Sequence, residues 1–320
     1  MGVSPLVSII VPACNTQDFV AHTLRSIQQQ QFENWECLVV DDASQDSTRD
    51  VIQATIAGDR RFRLVRQPFR KGVSAARNRG FAESSPESPW VSFMDSDDCW
   101  LPETLRWLVQ CLELSPEAVG AHGLGQFITA DGSLMHPGAF EAFGRQRLGY
   151  REGTIRVWPL HEPSCFATQC WTGTIYPPGL FLARRQAYLR AGLFDESMHL
   201  SEDWDMIIRL SRLGNIPFLD RVLLQYRRHH ANATSDHASN SRAVRIVHHK
   251  TFFSSENQEC HRHILREGWT AWERFKLREK CRLALHSLKQ RDLCALTKNL
   301  VATPLHALRY LSGYPEFCLL

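Results

Sequence analysis

Short apolar runs alternate with amphipathic stretches through the first hundred residues, and most of the runs stop abruptly at polar residues. Leu6 to Val11 is apolar except for Ser8 and is closed by Pro12, which predicts a buried strand. Asp18 to Gln31 follows with helical spacing: Phe19, Leu24 and Ile27 are apolar, while Thr23, Arg25 and the glutamine run are polar. Trp35 to Val40 predicts a second strand, stopped by Asp41-Asp42. Asp46 to Gly58 reads as a helix, Phe62 to Val65 as a third strand and Ser74 to Ser84 as a helix. Trp90 to Met94 predicts a fourth strand, stopped by Asp95-Ser96-Asp97-Asp98.

This alternation predicts an α/β fold: a doubly wound, mostly parallel sheet flanked by helices. Ligands of such sheets bind beyond the carboxyl ends of the strands. Three of the four strands end in Pro12-Ala13-Cys14-Asn15, Asp41-Asp42 and Asp95-Ser96-Asp97, so their polar residues gather at one edge.

Beyond residue 100 the pattern is less regular. Pro102 to Leu114 predicts a helix. Gly120 to Gly179 is rich in Gly, Pro and aromatic residues without clean periodicity, and is expected to hold a few irregular strands and loops. Phe181 to Arg185 leads into a helix over Gln186 to Ala191. Ser201 to Leu213 predicts another helix, and Phe218 to Tyr226 a strand. After His248 the chain reads as largely helical, with Trp269, Trp272 and Phe275 at i, i+3 and i+6, a spacing expected to pack against the rest of the domain rather than against a membrane.

Composition changes this picture little. With 320 residues, 43% hydrophobic and 22% charged, the chain has ordinary globular composition, and a net charge of +3 does not announce a nucleic-acid partner. The charge is uneven, however. From Ser241 onward Lys and Arg outnumber Asp and Glu by 14 to 7. A basic helical extension over 241–320 can meet an anionic membrane surface, but a solvated helical face is the simpler reading. No run approaches 18 consecutive apolar residues, so any membrane contact is expected to be peripheral, at the inner face. Met1-Gly2-Val3-Ser4-Pro5 has no basic residue, so no leader is expected, and the ten cysteines form no CxxC pair; reduced thiols in a cytoplasm are expected.

Candidate chemistry lies in the carboxylates. Alternate residues of an extended segment point the same way, so Asp95 and Asp97 can share one ligand set, suited to Mg²⁺ or Mn²⁺ with positions left for phosphate oxygens. A lone DxD is equally a helix cap before Pro102. Asp42 can accept a hydrogen bond from a nucleobase imide, whereas Asp46 and Ser47 read as caps. Glu202-Asp203-Trp204-Asp205 places carboxylates at a helix start, where one can serve as a general base or simply complement the helix dipole. Arg77, in the Gly-bearing segment Lys71 to Gly80, can contact phosphates or pair with the acidic strand ends. One of His229 and His230 can join a metal or a diphosphate.

Together these segments resemble family 2 glycosyltransferases, inverting enzymes of the GT-A fold. The resemblance is carried by Val7-Ser8-Ile9-Ile10-Val11-Pro12 with Asn15, by Val39-Val40-Asp41-Asp42-Ala43-Ser44, and by Gly72 with Ala76-Arg77-Asn78. It continues in Phe93-Met94-Asp95-Ser96-Asp97-Asp98, in Glu202-Asp203-Trp204-Asp205, and in Tyr226-Arg227-Arg228-His229 with Asn232. It implies a glycosyltransferase domain over 1–240, with a nucleotide-binding half (1–115) and an acceptor half (116–240) holding acceptor-facing loops.

The resemblance also implies roles. Asp42 would bind the donor base, most often uracil, and Pro12, Asn15, Arg77, Asp95, Ser96 and Arg227 would line the nucleotide-sugar site. Asp97 would be the main ligand of Mn²⁺ or Mg²⁺, supported by Asp95 and His229. Asp203 would be the catalytic base, with Glu202 and Trp204 on the acceptor side. The donor would be a nucleotide-sugar, a UDP-sugar by the family's usual preference. The acceptor would be a saccharide or lipid-linked saccharide, in the assembly of a polysaccharide, lipopolysaccharide or glycolipid. Cys14 stands where the family usually places an aromatic residue that stacks on the base; Phe69 is a neighbour able to replace it. A non-catalytic nucleotide-sugar-binding or scaffold protein is the alternative. A nucleotidyltransferase would need a Gly-rich basic loop where this chain has Pro12-Ala13-Cys14-Asn15-Thr16.

Overall fold

Val7–Ala13 (β1) is buried along its whole length, and its alternate residues enter two different cores. Val7, Ile9 and Val11 face one layer, and Ile10 faces the other, as the two-residue period of a strand requires. Helices therefore cover both faces. The computed structural model describes residues 6–230, 232 and 237–289.

In chain order β1 is followed by Val20–Gln28 (α1), Trp35–Asp41 (β2), Thr48–Ile56 (α2), Phe62–Arg66 (β3), Val73–Glu83 (α3) and Trp90–Phe93 (β4). Strands β3, β2, β1 and β4 are adjacent in that order and all parallel. Helices α1 and α2 pack on the face of Val7 and Ile9, while α3 packs on the face of Ile10. Helix α3 lies close: a Cβ added at Gly80 would sit 2.4 Å from Cγ2 of Ile10. The expected helices run a few residues wider than those observed, because the ends of a helix lack the hydrogen bonds that define its middle.

The sheet continues with Cys99–Trp100 (β5), then Thr104–Glu113 (α4), Gly120–Ile128 (β6), Leu134–Met135 (β7) and Ala139–Arg145 (α5). A small antiparallel hairpin follows, Leu148–Arg151 (β8) with Thr154–Val157 (β9), and then Phe166–Gln169 (α6). Phe181–Arg184 (β10), Arg185–Ala191 (α7), Glu202–Ser211 (α8) and Phe218–Arg227 (β11) complete this half. β10 runs antiparallel to both β4 and β6, β11 parallel to β6, and β5 antiparallel to β11. The parallel arrangement read from the sequence thus holds for the first four strands, and the sheet as a whole is mixed.

β6 lies inside the stretch that lacked periodicity. It is almost wholly buried on both faces and carries His122, Gly123 and Gly125, so no apolar–polar alternation marks it. Side chains of Leu223 and Phe140 fill the space over the two glycines.

His237–Phe253 (α9) and Glu259–Lys289 (α10) follow. They share a core with the second half of the sheet domain: Trp171, Trp204 and Ile208 pack with Val247, Leu265, Trp269 and Trp272. Helices α9 and α10 thus share this core across residue 240. Trp269 and Trp272 are buried, so neither ring is presented to a membrane. No helix among the described residues is long and apolar enough to cross a bilayer, and residues 290–320 of the expected basic extension lie outside the described residues. The eight described cysteines are free thiols.

Candidate active site

The carboxyl ends of β1, β2 and β4 open into one pocket, as the strand order predicts. Pro12, Asp42, Arg77, Asp95, Ser96, Asp97, Glu202 and Asp203 all line it. Residues far apart in the chain meet there because parallel strands place their ends side by side, while the start of α8 approaches from the second half.

Asp42 is buried at the end of β2, and a ring of donors fixes its carboxylate. Oδ1 accepts from Gln67 Nε2 (2.8 Å) and the Lys71 amide (2.7 Å), and Oδ2 from the Gly72 amide (2.8 Å). Gly72 has φ +94°, a conformation that glycine adopts without a Cβ penalty, and this turn aims its N–H at Asp42 before α3 begins. The sequence singled out Asp42 and Gly72 separately; Gln67, at the end of β3, carried no signal of its own.

Arg77 is only 2% exposed and bridges the two halves. Its Nη2 meets Asp95 Oδ1 at 2.7 Å and its Nη1 meets Glu202 Oε1 at 2.6 Å. Burial works against its charge, but Asp95, Glu202 and Asp203 outweigh burial and raise its pKa, so it stays protonated. Of the two uses the sequence left open for Arg77, the geometry displays the pairing with acidic groups. Burial also raises the pKa of Asp95, with Arg77 opposing and Asp97 and Glu202 adding.

Asp97 faces the other wall. Its Oδ2 lies 2.9 Å from His229 Nε2, and the His229 ring stacks on Phe19 at 4.4 Å between centroids. The His229 amide donates to Asn232 Oδ1 at 2.7 Å, which ties the end of β11 to the site. Among the described residues no three His, Cys, Asp or Glu side chains converge into a self-sufficient metal site. A carboxylate and an imidazole side by side nevertheless fit a cation that keeps waters and takes its remaining oxygens from a diphosphate. Asp95 is engaged by Arg77, so it stands beside that pair.

Arg227, Trp204 and His229 are not in the pocket lining itself; His229 reaches it through Asp97, and the other two point elsewhere. The Arg227 guanidinium is buried under the site: Nε donates to the Asp97 carbonyl (2.8 Å), and Nη1 to the carbonyls of Thr129 (3.2 Å) and Ala130 (2.9 Å). It does not line the pocket and instead props the Asp97 backbone. Trp204 is likewise turned inward. Its Nε1 donates to the Gln169 carbonyl at 2.8 Å, and its ring packs in the core shared with α9 and α10. The resemblance implied a place for Trp204 on the acceptor side beside Asp203, but on a helix adjacent residues point about 100° apart, so the two face different ways. The pocket wall is instead aromatic at Tyr176 and Tyr226, neither of which was among the expected site residues.

Asp203 stands in the first turn of α8. Desolvation pushes its pKa up to about 7, with Glu202 and Asp95 adding and Arg77 opposing. A carboxyl poised near neutrality is suited to proton abstraction.

Beside the main pocket a notch is lined by Cys14, Asn15, Ala43, Gln45, Pro68, Phe69 and Arg70. Asn15 is exposed; its Oδ1 accepts from the Gln45 amide (2.9 Å), and its own amide donates to Ser44 Oγ (3.1 Å), which locks the ends of β1 and β2 together. Phe69 is 61% exposed at the notch rim. Ala43 has φ +55°, a left-handed conformation that costs an L-residue roughly 1–2 kcal/mol. Ala43→Gly is therefore expected to raise the thermal midpoint by roughly 1–3 °C, allowing for glycine's extra unfolded-state entropy. A calorimetric scan checks it; an unchanged or lower midpoint would mean that the turn relaxes without strain.

Comparisons with known proteins bear on this arrangement. An Escherichia coli protein, UDP-Glc:alpha-D-GlcNAc-diphosphoundecaprenol beta-1,3-glucosyltransferase WfgD, is 34% identical over 107 residues, 33% of this chain and 41% of the relative. The fold is shared with Staphylococcus aureus TarS 1–349 in complex with UDP-GlcNAc (TM-score 0.63, 16% identity, 96% of this chain and 92% of that one). It is also shared with the mannosyltransferase PcManGT of Pyrobaculum calidifontis in complex with GDP-Man and Mn²⁺ (TM-score 0.63, 16% identity, 99% and 86%). The chain spans about two fifths of the length of the first curated relatives it matches. Residues 8–190 match the model of glycosyl transferase family 2, and the chain belongs to that family.

Proposed function

We propose that the protein is an inverting glycosyltransferase that moves a sugar from a nucleoside-diphosphate donor, a UDP-sugar, to a hydroxyl of a saccharide or lipid-linked saccharide in cell-envelope assembly. The observation that carries this reading is the common pocket in which Asp42, Asp95, Asp97 and Asp203 converge. The nucleoside would occupy the side of Asp42 and the notch, with Phe69 offering a ring face in place of the missing aromatic at Cys14. Asp97 and His229 would hold a Mn²⁺ or Mg²⁺ ion, which supplies neutralisation of the diphosphate leaving group. Asp203 accepts the proton of the acceptor hydroxyl as that oxygen attacks the anomeric carbon. The bond to the diphosphate oxygen breaks in the same displacement, and its electron pair leaves with the nucleoside diphosphate. Arg77 and Arg227 act as positioning residues, holding Asp95, Glu202 and the Asp97 backbone. Two similar proteins support the donor and acceptor classes: WfgD pairs UDP-Glc with a diphosphoundecaprenol-linked saccharide, and TarS binds UDP-GlcNAc.

Titrating UDP into the purified protein by calorimetry tests this. Binding in the micromolar range with Mn²⁺ is expected, weakened at least about tenfold by EDTA or by Asp97→Ala, equivalent to about 1.4 kcal/mol. GDP serves as the second nucleotide. Absence of binding by either nucleotide, with metal present, would favour a non-catalytic scaffold instead.

A further inference from the structure

A second groove opens beside the pocket, between the loop 195–200 and α9. His199 and Leu200 line both cavities, and Ser201, Glu202 and Asp203, which line the pocket, follow them directly in the chain, so the groove adjoins the side of the proposed base. Its walls have two characters. Met198, Leu200, Ala243 and Ile246 supply apolar surface, and Ile246 is 45% exposed on the outer face. Arg242 and Lys250 supply positive charge, and the Asp195 carboxylate, also in the wall, is paired with Lys250.

The helix explains this mixture. Ala243, Val247 and Thr251, four apart, are the buried stripe of α9; Val247 joins the core shared with the domain, and Ala243 lies at the floor of the groove. Arg242, Ile246 and Lys250 form the neighbouring stripe and face the groove. Lys250 is committed: its Nζ meets Asp195 Oδ2 at 2.7 Å and Asp205 Oδ1 at 3.0 Å, which staples the loop and α8 to α9. Arg242, by contrast, is exposed and has no carboxylate within ion-pair distance among the described residues, although it lies in the groove wall.

An exposed isoleucine and an exposed guanidinium, one helical turn apart, match a ligand that joins a hydrocarbon chain to a phosphate. The guanidinium fork suits phosphate oxygens, and the apolar wall suits the first carbons of the chain. We propose that this groove binds the phosphate-bearing lipid end of the acceptor, with Arg242 on the phosphate and Ile246 under the hydrocarbon. The inference rests on the glycosyltransferase reading, and it makes the acceptor an anionic amphiphile rather than a free sugar. The acceptor's sugar would then extend past His199 and Leu200 toward Asp203.

Farnesyl diphosphate is the probe, titrated into the full chain already saturated with UDP and Mn²⁺ so that the donor site is filled. Saturable binding is expected, weakened at least about tenfold in Arg242→Glu and in Ile246→Asp, with farnesol and inorganic diphosphate each binding much more weakly. Both substituted side chains are exposed, and unchanged UDP affinity in the two variants reports that they fold. The proposal is overturned if farnesyl diphosphate fails to bind the UDP-loaded protein. It is equally overturned if binding ignores both substitutions, which would place the probe elsewhere. Phosphatidylglycerol vesicles form the third arm. Vesicle binding that depends on Arg242, without binding of farnesyl diphosphate, would make α9 a membrane-surface contact and also overturn the acceptor assignment. Failure of UDP itself to bind would overturn the donor reading instead, which the first titration reports separately.

Discussion

Asp203→Asn is expected to lower kcat about a thousandfold while leaving UDP affinity within a factor of about two, because a positioned general base contributes roughly 10²–10⁴ in rate. The amide keeps the size of the side chain but has no basic oxygen to take the acceptor proton. In the wild type the carboxyl must be ionised to act, and burial raises its pKa to about 7. The rate per donor concentration should therefore climb as pH rises through about 7 and then level off. At about one pH unit below that point it should stand near a tenth of the plateau. Stability should move the opposite way. The folded pKa is raised above the unfolded value of about 3.9, so the contribution of this group is fully present below pH ~4 and is lost as pH rises through about 7. The substituted amide cannot ionise, so the variant should gain stability relative to the wild type between about pH 5 and pH 8. A pH series of thermal midpoints alongside single-turnover rates checks both. A variant that is inactive but equally stable at every pH would mean that Asp203 is ordinarily solvated.

Arg77→Met is expected to produce the largest loss of stability, about 3–5 kcal/mol near neutral pH, because it strands two carboxylates that now share a buried cation. The methionine approximates the length of the side chain, so the loss reports charge more than volume. Arg77 joins Asp95 at the end of β4 to Glu202 at the start of α8, so the two halves of the site lose their shared contact. Asp95 already has a raised pKa, and Arg77 is the main influence holding it down. Without Arg77 that pKa rises further above the unfolded value. The deficit of the variant should accordingly shrink on acidification and grow again toward neutrality. Urea denaturation at about pH 5 and about pH 8 measures this. Adding Glu202→Gln should restore at least about 1 kcal/mol at the higher pH, the sign of a directly coupled pair. Glu202→Gln alone completes the cycle, and a double variant whose loss equals the sum of the two single losses would show that the bridge carries no net coupling.

Much of the pocket was legible in the chain because strand ends are local. Asp42, Asp95 and Asp97 each close an apolar run, and parallel strands bring such ends together whatever lies between them. Pro12 and Ser96 line the pocket for the same reason. The expected residues that lie outside the pocket differ in direction, not in type. Trp204 and Arg227 lie in the right segments, yet their side chains leave the pocket for Gln169 and for the carbonyls of Asp97, Thr129 and Ala130. No sequence period separates a helix neighbour that faces a ligand from one that faces a core formed by α10.

Periodicity within a few residues is enough to specify the parallel half of the sheet, its acidic edge and the order of the motifs. Which charges meet is a property of the folded chain alone. Arg77 finds Glu202 across 125 residues and Asp97 finds His229 across 132. Packing of the layers likewise inserted β10 between β4 and β6, and joined α9 and α10 to the domain through Trp171, Trp204, Trp269 and Trp272. Such long-range contacts are set by how whole layers bury their apolar faces, and the energy of that burial is shared among elements rather than written in any one of them.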